Sequence, residues 1–188
     1  LPPYLETPDV ETSSDDYARR FEGPAGQFFL DVQALALERL ISDFRGANVL
    51  EVGGGHGQLV PTFLRHGCRV TMLGSDDSTH ARVRAQHGDA VHCDTGDILN
   101  LPYAPRSYDL VVAVRLVSHV AAWRRLLAEL CRVSSRAVII DYPSWRSLNA
   151  LTPLLFRFKK SLEGNTRQYT SFMPSTLAAA FERHGFVA

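Results

Sequence analysis

The chain has 188 residues, 45% of them hydrophobic, which suits a single domain with a substantial core and is short for several. Its 20 basic residues balance 20 acidic ones, so it lacks the basic footprint of a nucleic-acid binder. Cys68, Cys93 and Cys131 lie far apart without Cys-x-x-Cys or paired His spacing, which points to a reducing, cytoplasmic setting and no zinc site; no apolar run approaches the roughly 18 residues of a membrane span.

Residues 1–16 are rich in Pro, Glu, Asp, Ser and Thr and read as a flexible N-terminal arm. Order is expected from Tyr17-Ala-Arg-Arg-Phe21, and the apolar spacing of Phe28, Leu30, Val32, Leu35, Leu37, Leu40 and Ile41 predicts a helix, so that residues 17–45 make a helical cap on a domain of residues 17–188. The centre of the chain is Asn48-Val-Leu-Glu-Val-Gly-Gly-Gly-His-Gly-Gln-Leu-Val60, an apolar run ending on an acid and turning through glycines into a second apolar run. It reads as strand, tight turn and helix, with bare backbone N–H groups facing a crevice at the strand's carboxyl end.

Cys68 to Leu73 predicts a second strand, parallel to the first because a helix separates them, and Asp76, Asp77 and Ser78 precede a helix over 79–87. A third strand at 90–93 leads into Gly96-Asp97-Ile98-Leu-Asn-Leu-Pro102. Ser107-Tyr-Asp109 introduces a fourth strand at 110–114, followed by Arg115 and Ser118-His119 and a helix at 121–132. The fifth strand, 137–140, ends at Asp141-Tyr-Pro143. Residues 144–172 then mix apolar helical segments with Arg157, Lys159 and Lys160 and read as an insertion over the crevice. A last helix is expected over 174–184.

The dinucleotide fingerprint Gly-x-Gly-x-x-Gly has no third glycine here, since Gln58 stands at that place. The pattern Glu51-x-Gly53-x-Gly55-x-Gly57, with Gly96-Asp97, Tyr108-Asp109 and Ser118-His119 in order behind it, instead resembles the class I S-adenosylmethionine-dependent methyltransferases of the small-molecule type. The resemblance implies an α/β fold, a Rossmann-like doubly wound and mostly parallel sheet whose last strands are missing from this sequence. It implies S-adenosylmethionine as cofactor and methyl transfer to a small molecule, a hydroxyl or carbon of a quinone-like or natural-product acceptor.

Carried over by position, the resemblance sets Glu51 near the cofactor's ammonium, Gly53, Gly54, Gly55 and Gly57 under its methionine part, and Tyr17 and Arg20 over its carboxylate. Gly96, Asp97 and Ile98 would hold adenine, with the Asp97 carboxylate accepting from the exocyclic amine and Ile98 walling the ring. Val114 and Arg115 would complete the cofactor site. The family's ribose acid aligns with Gly74, so Asp76 is the candidate for that role, the alternative being that it caps the next helix. His119 is the candidate proton acceptor, or else a residue orienting its loop. Tyr142, Arg167 and Tyr169 would face substrate, with 144–172 as lid. A non-catalytic cofactor-binding module and an NAD-type oxidoreductase are the rival readings. No nucleic-acid partner or stable membrane insertion is expected, and an uncovered fifth strand would call for further strands or a second copy of the chain.

Overall fold

The computed structural model describes residues 6–53, 56–144 and 170–187, with the side chain of Arg20 excepted. Five strands, β1 (Asn48–Val52), β2 (Arg69–Gly74), β3 (Val91–Thr95), β4 (Tyr108–Ala113) and β5 (Ser134–Ile140), form one sheet in the order β3-β2-β1-β4-β5. Every pairing is parallel, with Leu50 opposite Thr71 on one side and Val111 on the other. The order reverses beside β1, so β2 and β4 part at its carboxyl end and leave a crevice there.

Side chains alternate across β1 and β4 and build two cores. Leu50, Val52, Val111 and Ala113 pack with Leu126, Leu127 and Leu130 of α6 (Trp123–Val133) and with Leu177 and Phe181 of α7 (Pro174–Glu182). On the opposite face Val49, Leu110 and Val112 meet Leu37 of α3 (Gly23–Leu40), Val60 and Phe63 of α4 (Val60–Arg65) and Val83 of α5 (Ala81–His87). Leu126, Leu127 and Leu130 are fully enclosed, each contributing roughly 1.5–3 kcal/mol relative to exposure. The Asp109 carboxylate accepts from Asn48 N–H at 2.9 Å, so the Tyr-Asp pair before β4 anchors the start of β1.

The arm differs from its expectation. From Glu6 onward it is packed: α1 (Pro8–Thr12) and α2 (Asp15–Ala18) precede a 3₁₀ turn at Arg19–Phe21, and Asp9 is 0% exposed. Composition underestimates this segment because its ties are carboxylates meeting backbone N–H groups, which hydropathy does not register. The local signal was present, since Pro8 at the first helical turn with Asp9 and Glu11 behind it marks a helix start.

At the other end of the sheet β5 is the edge strand among the described residues, with Ala137 to Ile140 half-buried. The insertion after it begins and ends at one place. Ser144 bridges Phe172, Phe172 N–H donates to Pro143 O at 2.9 Å, and Thr170 N–H donates to Ser118 O at 2.8 Å. Residues 145–169, including Arg167 and Tyr169, lie outside the described residues.

Candidate active site

The carboxyl end of β1 carries the unusual electrostatics. Glu51 shares the side of the strand with Val49 and is 1% exposed; its Oε2 has no hydrogen-bond partner among the described atoms. Burial raises its pKa to about 8 even though the Arg115 cation opposes the shift. A buried acceptor without a donor is rare and costly, and here it points toward a missing positive donor.

Gly53 leaves β1 with φ +70°, a conformation that side chains resist, and donates to Leu73 O at 2.8 Å. A Cβ on Gly57, at φ +61°, would come within 2.9 Å of Val83. Gly54 and Gly55 lie outside the described residues. Between them and Gly57, His56 lies parallel to the Tyr17 ring, centroids 5.6 Å apart, which brings the predicted Tyr17 to the turn. The His56 imidazole is pushed down to about 4, by burial above all, then by Arg115 and Arg82. Arg20 follows in the 3₁₀ turn, its side chain outside the described atoms.

Arg115 lies beside Glu51 in the electrostatics, at the end of β4. Its backbone has φ +57° and is held there by its N–H donating to Asp141 Oδ1 at 2.5 Å; such a strained non-glycine residue marks functional sites. The guanidinium stands 4.6 Å from the Phe21 ring centroid and 5.7 Å from that of Tyr17. Burial raises the pKa of Asp141, with Arg115 and His119 opposing. His119 ends the 3₁₀ turn Val117–His119, half-buried, its N–H donating to Leu116 O at 2.9 Å. Val114, half-buried, lines a cavity of about 120 Å³ with Leu37, Leu40 and Asp141. A second cavity of about 300 Å³ is lined by Phe21, Phe29, Val32, Ala36 and Arg115, so Arg115 borders both the acid and an apolar chamber.

At the carboxyl end of β3, Gly96 N–H donates to Gly74 O at 3.0 Å, and Asp97 Oδ1 accepts from Leu99 N–H at 2.8 Å. A carboxylate has about four acceptor sites, so Asp97 retains capacity for a ligand amine. The loop is clamped to α6 by Arg132, which donates to Tyr103 O and Leu101 O at 2.7 and 2.8 Å, and by Glu129, which accepts from Leu101 N–H at 2.8 Å.

Three predicted contacts take another form. Asp76 is exposed and its Oδ1 accepts from Ser78 N–H at 2.9 Å, the capping contact that the sequence offered as the alternative to a ribose role. Gly74 cannot be replaced by an acid in place, because a Cβ there would lie 1.9 Å from Thr79 Oγ1. Ile98 is 0% exposed within the α6-side core, where burial outweighs facing a crevice, so its side chain does not wall one. The Tyr142 ring stands edge-on to Phe172 at 6.4 Å and packs against the same core. Conversely, the reading of the sequence missed His56, Asp141, Glu6 and Asp9. An acid at the carboxyl end of a strand was a signal for Asp141; for Glu6, which meets its partner only across the fold, there was none.

Residues 50–139, from β1 through β5, match the family model of a methyltransferase domain. Over that stretch, a little under half of the chain, it is similar to the class I methyltransferases. Over 104 residues the chain is 31% identical to norajmaline N-methyltransferase of Rauvolfia serpentina, an alignment that takes in 50% of this chain and 36% of that enzyme. The magnesium protoporphyrin IX methyltransferase of Synechocystis, solved with bound S-adenosylhomocysteine, superposes with a TM-score of 0.70 at 16% identity, covering 94% of this chain and 86% of that one. A Thermotoga maritima S-adenosylmethionine-dependent methyltransferase gives 0.69 at 16%, covering 96% and 81%. At such identities the structures establish the shared fold. The domain's crevice fits the cofactor on its own terms, since a buried, unpartnered carboxyl group waits at the end of β1 and an acid with spare acceptor capacity at the end of β3. Among the described residues no helix is long and apolar enough to cross a membrane, and no cluster of His, Cys, Asp or Glu is arranged to hold a metal ion.

Proposed function

We propose that this chain catalyses methyl transfer from S-adenosylmethionine to a hydroxyl or carbon of an apolar small molecule. The observation that carries the reading is Glu51, an acid enclosed beside the glycine turn with Oε2 unpartnered and its pKa lifted to about 8. An ammonium supplies what that position lacks, a positive donor in a low-dielectric pocket. Asp97 would accept from the adenine amine at the end of β3. The bound cofactor supplies a methyl group already activated by its sulfonium, so the protein's task is chiefly alignment and exclusion of water.

The chamber against Phe21, Phe29, Val32 and Ala36 is the acceptor site in this reading, and its mostly apolar walls, with Gln33 and Arg115 as the polar groups, favour an apolar molecule. His119, close enough to Asp141 to oppose the rise of its pKa, would take the proton of an acceptor hydroxyl, and the neighbouring carboxylate would stabilise the imidazolium. Titration calorimetry with S-adenosylhomocysteine and with NAD tests the cofactor assignment. Saturable binding of the first without the second is expected; binding of NAD alone, or of neither, overturns it.

A further inference from the structure

The N-terminal segment is tied down on both sides of the crevice. Glu6, 8% exposed, accepts from Ala121 N–H at 2.6 Å and from Ala122 N–H at 2.9 Å, at the loop that follows β4 and opens α6. Three residues on, the fully buried Asp9 accepts from Ser75 N–H and Ser75 Oγ–H, both at 2.6 Å, just past the end of β2. β1 lies between β2 and β4 in the sheet, so the two ties join loops on either side of its carboxyl end. The following residues stay over the same opening. Asp15 pairs with Arg82 of α5, and Tyr17 lies on His56 inside the glycine turn.

Buried carboxylates that each take two donors are strong, directional ties, and removing one leaves its N–H partners unsatisfied. Among the described residues none of this segment belongs to either hydrophobic core; its ties are to the loops after β2 and β4, to Arg82 of α5 and to His56 in the glycine turn. We propose that residues 6–17 are a strap across the cofactor crevice, with Glu6 and Asp9 as its latches, so that ligand enters and leaves only when the strap is released. This inference rests on the cofactor reading above. It makes exchange of the ligand slow in both directions.

The test is stopped-flow exchange of S-adenosylhomocysteine on the parent and on the Glu6→Gln/Asp9→Asn double variant, with amide hydrogen exchange at Ser75, Ala121 and Ala122 in the absence of ligand. A gate predicts that association and dissociation both accelerate in the double variant, each by about tenfold, while the dissociation constant moves little. Arg82→Ala, which frees Asp15 without touching either latch, should shift both rates in the same direction by less. Faster dissociation with unchanged or slower association would make Glu6 and Asp9 ordinary supports and overturn the gate. Should the parent bind no S-adenosylhomocysteine, the cofactor reading fails, and the strap is judged by exchange alone. Protection of the three amides in the parent that is lost in the variant supports a strap; equal exchange in both overturns it.

Discussion

Glu51 gives a pH dependence whose sign follows from the structure. In the ligand-free protein its pKa stands at about 8 against an ordinary 4.5, so between those values the folded protein holds a proton that the unfolded chain has released. Stability is then full below about 4.5 and falls as pH rises toward 8, by up to about 1.4 kcal/mol per unit and about 5 kcal/mol over the window. Ammonium binding reverses the preference, because it favours the ionised carboxylate and expels the proton. Affinity for S-adenosylhomocysteine should therefore climb by up to about tenfold per pH unit between 6 and 8 and level off above. Glu51→Gln keeps the shape and removes the titration. Both slopes should flatten in that variant, and binding at pH 8 should weaken by roughly 1.5–3 kcal/mol as a charge-assisted contact is lost. Calorimetry in buffers of different ionisation enthalpy counts the proton released, and thermal denaturation over the same pH series reads the stability arm. Identical pH profiles for parent and variant would refute the assignment of Glu51 as the ammonium site.

Asp97→Ala should weaken S-adenosylhomocysteine binding by roughly 1.5–3 kcal/mol, measured by calorimetry, because a charged acceptor for the adenine amine disappears. His119→Ala should slow turnover of a hydroxyl acceptor by about a hundredfold, read by mass-spectrometric product formation, with cofactor affinity within about threefold of the parent. An equal loss in both quantities would assign His119 to holding its loop. The half-buried edge of β5, the edge strand among the described residues, should pair with a second copy of this chain; light scattering reads the oligomeric state, and a stable monomer would refute that pairing.

Much of the architecture was legible because it depends on local pattern. Apolar runs at 49–52, 70–73 and 110–113 separated by helical spacing admit a parallel sheet and few alternatives, and a glycine turn after the first of them sets the crevice at its carboxyl end. The placement of Glu51, Gly53 and Asp97 was readable for the same reason, since each lies at a strand end that the pattern itself locates. What only the tertiary structure decided are the pairings made across it. Asp76 and Asp9 are both short acids near a turn in the sequence, yet the first turns outward to cap Ser78 while the second is buried on Ser75, 66 residues away. Glu6 reaches Ala121 across 115 residues, and no periodicity carries information over that separation. Arg115, an ordinary cation in the sequence, has its pKa lowered by burial against the opposing pull of Asp141, whose carboxylate also accepts from its left-handed backbone N–H. Pattern reports which face of an element is apolar; which donor meets which acceptor is settled by packing, because desolvated polar groups accept whatever partner the folded chain brings within reach.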